Sequence, residues 1–170
     1  DNWYKNNLTA YTSKLADETF CNDRSISSGT GYKNDSYTVY DLYNRNAERR
    51  VPSLKCAQAN DKFKVSNASA KLDYPVALIT ADEMAMAGGV FDISNTNYYL
   101  YSGQYQWSLS PGYFDPYYSF ARIWYVDPSG ILYPGYYVTC SFGVRPVINL
   151  KADTLITKGD GTALNPFSIS

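Results

Sequence analysis

Prolines and glycines leave little room for long elements in the second half of this chain. Pro111, Pro116, Asp127-Pro128-Ser129-Gly130 and Pro134-Gly135 read as turns, and the stretches Ala121 to Val126 and Gly143 to Leu150 read as short strands between and after them. Helical periodicity is confined to the first half. Tyr4, Leu8, Tyr11 and Leu15 recur at helical spacing and predict an amphipathic helix from about Trp3 to Glu18. The apolar run Tyr74-Pro-Val-Ala-Leu-Ile79 leads into Thr80-Ala-Asp-Glu83, a capping-box pattern, which predicts a second helix over about Ala81 to Ala87 stopped by Gly88-Gly89. Between the two, Asn22 to Asn46 reads as a long ordered loop and Val51 to Val65 as short extended stretches. Gly159-Asp160-Gly161 and Asn165 to Ile169 read as a turn and a closing strand. Helices first and short strands afterwards is an α+β order. The expectation is a single domain over residues 1–170, with both helices packed on small antiparallel sheets and the first and last segments close together.

Several function classes are set aside by composition. The chain has no histidine, which removes the commonest general base and transition-metal ligand and every Ser/His or Cys/His nucleophile. It is read as a non-enzyme with no cofactor. Its three cysteines lack the paired spacing of a zinc site. Cys21 and Cys56, if joined, close a loop worth ~4 kcal/mol; two buried free thiols are the alternative. A net charge of −1 with scattered Lys and Arg gives nothing to collect a phosphate backbone, so nucleic acid is not an expected partner. No apolar run approaches the ~20 residues of a membrane helix, so no membrane insertion is expected in this segment. The first residue is Asp1 and not Met, which is read as the mark of a mature ectodomain, extracellular or held at the cell surface.

Phe20-Cys-Asn-Asp-Arg-Ser25, Pro52-Ser-Leu-Lys-Cys56, Tyr74 to Glu83, Trp107-Ser-Leu-Ser-Pro111, Gly143-Val-Arg-Pro-Val147 and Gly159-Asp-Gly161 resemble a group of bacterial surface proteins, across nearly the whole chain. Those proteins carry a C-type-lectin-like domain distantly related to the formylglycine-generating-enzyme fold. The resemblance implies that fold, and within it the chain is most similar to variable proteins diversified by retroelements. In such proteins Asn codons of the type AAC are randomised at adenine, which yields a restricted set that includes Tyr, Ser, Asp, Gly, Phe, Pro, Arg, Ile, Thr and Cys but never Lys, Glu, Gln or Met. From Ser108 to Leu150 those four types are absent. The iron and cysteine chemistry of the related enzymes needs histidine ligands or a close cysteine pair, which this chain does not offer.

Eighteen tyrosines supply the side chain enriched at recognition surfaces. The candidate binding residues are Tyr113, Asp115, Tyr117, Tyr118, Phe120, Arg122, Tyr125, Asp127, Tyr133, Tyr136, Tyr137 and Phe142. They are expected to form one exposed patch with Asp115, Arg122 and Asp127 at its edge. Trp107, Trp124 and Arg145 are expected as framework, together with positions such as Pro111, Val126, Leu132 and Val138; alternation places Trp124 and Val126 inward and Tyr125 outward. Arg145, between Val144 and Val147, needs a carbonyl or carboxylate partner to be buried. The resemblance makes Cys140 one outcome of randomisation, standing apart near the patch. Asp115 and Asp127 are too few for a calcium cage. The partner expected is a protein or glycan receptor on another surface. A pilin-like or surface-layer module that self-associates through the same rings stays open beside it, as does a segment whose tyrosines are simply core.

Overall fold

The computed structural model describes residues 2–32, 36–162 and 164–170. The chain opens with helix α1, Asn2–Asn7, and a separate 3-10 helix, Thr9–Lys14. The single helix expected from Trp3 to Glu18 is therefore two short pieces, broken at Leu8. Polar side chains compete for the backbone on both sides of the break: Asn7 Nδ2 donates to the Trp3 carbonyl at 2.7 Å and Thr9 Oγ1 to the Lys5 carbonyl at 2.9 Å. Tyr4 and Leu15 are buried while Tyr11 points to solvent, so only part of the apolar stripe is used. Tyr4 stacks on Tyr74 at 4.3 Å, which docks α1 beside that segment.

Strands β1 (Phe20–Cys21), β2 (Ile26–Ser28) and β3 (Thr38–Tyr40) follow, then helix α2 (Asp41–Tyr43), which runs on into a π-helical stretch, Asn44–Arg49. The loop expected over Asn22 to Asn46 thus carries two strands and helical turns; Lys33, Asn34 and Asp35 lie outside the described residues. The strands form through distant partners: Thr38 pairs with Phe114 and Val39 with Tyr113. Thr38 is fully buried and its Oγ1 accepts the Gly31 amide at 3.0 Å. After a 3-10 turn, Ala59–Asp61, strand β4 (Lys62–Phe63) pairs antiparallel with β1. Cys21 and Cys56 are joined by a disulfide, and Cys140 is free.

Beyond β5 (Ala77–Leu78), helix α3 (Ala81–Met86) begins where the capping box places it. Thr80 Oγ1 accepts the Glu83 amide at 3.1 Å and the Glu83 carboxylate accepts the Thr80 amide at 2.8 Å. Then come β6 (Val90–Phe91), β7 (Gln106–Asp115), β8 (Phe120–Val126), β9 (Ile131–Tyr137), β10 (Pro146–Val147), β11 (Ile156–Lys158) and β12 (Ser168–Ile169). Six strands make the main sheet in the order β2-β3-β7-β8-β9-β6; β1-β4, β10-β5 and β11-β12 are two-stranded. The main sheet is mixed, since β6 runs parallel to β9, where antiparallel pairing alone was expected.

Two prolines expected to make turns sit inside strands. Pro111 lies within β7 with a register shift on either side, and Pro134 lies within β9 opposite a shift between Ile123 and Tyr125. Bulges are where a sheet tolerates a residue with no N–H to give. Pro116 and Asp127-Pro128-Ser129-Gly130 do form turns. The strand expected over Gly143 to Leu150 is reduced to β10 and two isolated bridges, Gly143 to Gln106 and Leu150 to Leu15. The Leu15–Leu150 bridge, with Ala16 N–H donating to the Asn149 carbonyl and Lys151 N–H to that of Lys14, ties residues 14–16 to residues 149–151.

Trp124, Val126, Leu132, Met84, Ala81, Leu42, Ile79 and Tyr98 form the core between α3 and the sheet. Gln106, Ser108, Ser110, Gly112 and Phe114 alternate inward along β7. The buried serines are paired: Ser108 Oγ donates to the Trp124 carbonyl at 2.8 Å, and Ser110 Oγ accepts the Ala81 amide at 3.0 Å, fixing the first turn of α3 to the sheet. A buried charge hub joins the earlier segments. Arg45 donates to Asp23 at 2.7 Å, Asp41 at 3.1 Å and Asp82 at 2.8 Å, and the other Asp82 oxygen accepts Asn46 Nδ2 and the Ser53 amide.

Candidate functional site: an aromatic surface on the main sheet

Strands β7, β8 and β9 carry aromatic side chains on positions that alternate with the core. Trp107 pairs with Tyr125 across β7 and β8, and Tyr125 with Tyr133 across β8 and β9. Phe142 is brought over them by backbone contacts: Trp107 N–H donates to the Gly143 carbonyl at 2.9 Å and Gly143 N–H to that of Tyr105 at 3.0 Å. The Phe142 ring then lies 4.3 Å from Trp107, 4.5 Å from Tyr105 and 4.5 Å from Tyr136, and Tyr136 lies 5.2 Å from Tyr125. A second group follows the Pro116 turn, with Tyr117 and Tyr118 at 4.7 Å and Phe120 and Tyr137 at 4.4 Å. Contacts of 6.2 Å between Tyr118 and Phe120 and 6.5 Å between Tyr136 and Tyr137 join everything into one network.

The rings are exposed to very different degrees. Tyr117 is 85% and Tyr118 59% accessible, and Phe120 and Tyr133 are also exposed. Tyr125, Tyr136, Tyr137 and Phe142 are half-buried against one another, and Tyr113 is half-buried beside Tyr37 and Arg122. The uniformly exposed patch expected from sequence is therefore a graded one, because neighbouring rings on a twisted sheet cover each other. Behind it Trp124 is fully buried and Val126 nearly so, which is the inward alternation read from β8. Trp107 stands within the ring network and not behind it, and Val138, expected as framework, is exposed. Arg145 Nη1 donates to the Leu100 carbonyl at 2.7 Å.

Asp115 and Asp127 lie at turns and each commits a carboxylate oxygen there. Asp115 Oδ1 accepts the Tyr117 amide at 3.0 Å; Asp127 Oδ1 accepts the Ser129 amide, the Ser129 hydroxyl and the Ile131 amide. The tight turn that follows needs Gly130, at φ +80°, where a Cβ would collide with the Asn95 carbonyl oxygen. Arg122 lies between the rings of Tyr113 and Tyr137, 4.8 and 4.6 Å from their centroids. Cys140 stands at the end of β9, its amide bonded to the Tyr137 carbonyl, close to Phe142 in the chain.

No family model, curated protein or solved structure matches the chain. Burial, reinforced by the Asp127 carboxylate and the Tyr105 hydroxyl, pushes the Tyr125 phenol up to about 12. Burial also raises Tyr113, against the opposing pull of Arg122. These hydroxyls are neutral near pH 7, able to donate or accept. Because the folded value of Tyr125 exceeds the ordinary 10.0, its contribution to stability is whole below pH 10 and is lost as pH rises through about 12.

Three members of the network escaped the sequence reading. Tyr105 continues the alternation of Trp107 one step earlier and was legible in principle. Tyr37, 5.3 Å from Tyr113, and Phe91, stacked on Tyr133 at 5.6 Å, arrive from distant segments that give no local signal. Elsewhere, a cavity of about 400 Å³ among Trp3, Tyr4, Phe63, Leu72, Leu109 and Pro146 has no charged residue in its wall. No helix among the described residues is long and apolar enough to cross a membrane.

Proposed function

We propose that the chain is an extracellular ligand-binding domain of the C-type-lectin-like kind, and not an enzyme, whose aromatic surface is diversified and recognises a receptor. The observation that carries this reading is the network itself: more than ten rings on three adjacent strands and their loops, with Tyr117 and Tyr118 standing furthest into solvent. Rigid, amphipathic rings give contact area at low entropic cost, and Tyr and Arg dominate the energetics of known interfaces. The packed layer beneath them holds the outer rings in place before the partner arrives, which lowers the ordering cost of binding.

Tyr117→Ser/Tyr118→Ser is the variant that separates binding from folding. Its thermal midpoint is expected to move by less than about 2 °C, since exposed side chains contribute little to stability. Capture of binders from a random-peptide display library or a glycan array is expected to weaken at least about tenfold. Tyr125→Ser, by contrast, removes a half-buried ring and costs about 1–3 kcal/mol. A double variant that unfolds, or that retains every binder, contradicts the proposal.

A self-assembling module is the second reading, supported by exposed apolar side chains on the β11–β12 hairpin, Leu155, Ile156, Leu164 and Phe167. Light scattering across a concentration series separates the two: growth of the particle that is abolished by changes on the hairpin or rings favours assembly, and a constant monomer mass favours the receptor reading.

A further inference from the structure

We infer that Arg122 is the docking point for an acidic side chain, Asp or Glu, of a protein that sits on the aromatic surface; the inference rests on the binding reading above and names the chemistry of its partner. Arg24 is paired with Asp61, Arg45 with three carboxylates and Arg49 with Asp41. Arg50, Arg145 and Arg122 have no carboxylate at ion-pair distance among the described residues, and of these three it is Arg122 that lies against the rings of the aromatic surface. Its hydrogen bonds are to uncharged groups: Nη1 donates to the Gly135 carbonyl at 3.2 Å and Nη2 to the Tyr137 hydroxyl at 3.4 Å. A guanidinium has five N–H donors, so those two bonds leave donors over. Nε is buried without a partner and does not account for all of them.

The cation is also contacted by two rings and two hydrogen bonds. Tyr113 and Tyr137 both lie within cation–π distance of it, and a planar guanidinium braced by rings is suited to a bidentate carboxylate. Neither surface carboxylate is paired with it: Asp115 and Asp127 each hold one oxygen in their own turns, and neither makes an ion pair with Arg122. An unpaired, half-buried cation inside a neutral ring surface selects a partner by charge complementarity.

The size of the adjoining cavity favours a protein side chain over a free acidic sugar. Arg122 shares with Tyr32, Tyr40, Tyr113 and Arg24 a cavity of about 150 Å³. Pockets that hold small ligands run from roughly 300 to 1,000 Å³, so this one is smaller than a usual enclosed small-molecule site. The rings beside it spread over three strands, the layout of a protein interface with Tyr and Arg at its centre.

The test is a selection of random peptides displayed on phage against the immobilised wild-type chain and against Arg122→Glu, with binding of the recovered peptides measured on Arg122→Gln and Arg122→Lys. Free glucuronic acid is titrated into the wild type in parallel. Wild-type binders are expected to be enriched in Asp and Glu, to weaken as salt is raised, to lose about tenfold on Arg122→Gln and less on Arg122→Lys. Selection on Arg122→Glu is expected to shift the enrichment to Lys and Arg. Enrichment and salt dependence are read on the wild type alone, so they decide the matter even where a variant fails to fold. Peptides that depend on Tyr117 and Tyr118 but show no acidic enrichment and ignore Arg122→Gln overturn the inference while the binding reading stands. Glucuronic acid bound with no peptide recovered overturns the choice of a protein partner. If nothing binds and the tyrosine pair has no effect, the binding reading fails with it.

Discussion

Arg45→Met is expected to destabilise the fold by about 3–5 kcal/mol at neutral pH, read from the urea unfolding midpoint. The variant leaves Asp23, Asp41 and Asp82 facing one another without their shared cation, and Asp82 and Asp23 are well shielded from solvent. Removing one partner from a buried charge cluster strands the others, which costs far more than the cluster contributes against an apolar replacement of the whole. Acid distinguishes this cause from lost packing. Burial alone would raise the Asp23 carboxyl, but hydrogen bonds from Ser25 and Arg45 outweigh it and hold it below the ordinary 3.8. A lowered folded value means stability that is whole above pH 3.8 and is lost as pH falls through the folded value. In the variant the stranded carboxylates are relieved by protonation, so the gap to wild type is expected to narrow on acidification. A gap that is small at neutral pH, or unchanged in acid, contradicts the hub as described.

The second large effect is expected at the disulfide. Cys21→Ser/Cys56→Ser opens a loop with a sequence separation of 35, for which the chain-entropy account gives ~4 kcal/mol. The same bridge holds the 50s segment against β1, on the side of the hub where the Ser53 amide meets Asp82. Urea unfolding of the double variant, set against Cys140→Ser as a control with no bridge to lose, checks it. The control is expected to stay within about 0.5 kcal/mol of wild type. Equal midpoints for all three proteins would mean that the bridge contributes nothing.

What could be read from the chain in advance divides along physical lines. The start of α3 was legible because a capping box is a local code: Thr80 and Glu83 satisfy each other's amides whatever lies around them. The inward Trp124 and Val126 were legible because a strand has period two. Strand β3 was not, since Thr38 and Val39 are strand residues by virtue of pairing with β7, more than seventy positions away. Pro111 and Pro134 misled for a related reason, as a proline in a bulge and a proline in a turn look alike until the neighbouring strand is known. The first helix failed at Leu8, where Asn7 and Thr9 take over the backbone carbonyls that a periodicity argument ignores. The ring surface was legible in most of its membership, Tyr105, Tyr37, Phe91 and the place of Trp107 excepted, but its grading was not, because exposure depends on which rings cover which. Arg45 was invisible, with partners at positions 23, 41 and 82 that no spacing rule connects.

Sequencing the gene in many isolates that carry it tests the claim of a diversified recognition surface most directly. The account predicts substitutions concentrated at Tyr113, Tyr117, Tyr118, Phe120, Arg122, Tyr125, Tyr133, Tyr136, Tyr137 and Phe142, drawn from the residues reachable by adenine replacement, while Arg45, Trp124 and Arg145 stay constant. Substitutions spread evenly along the chain, or Lys, Glu, Gln and Met appearing at the ring positions, would contradict it.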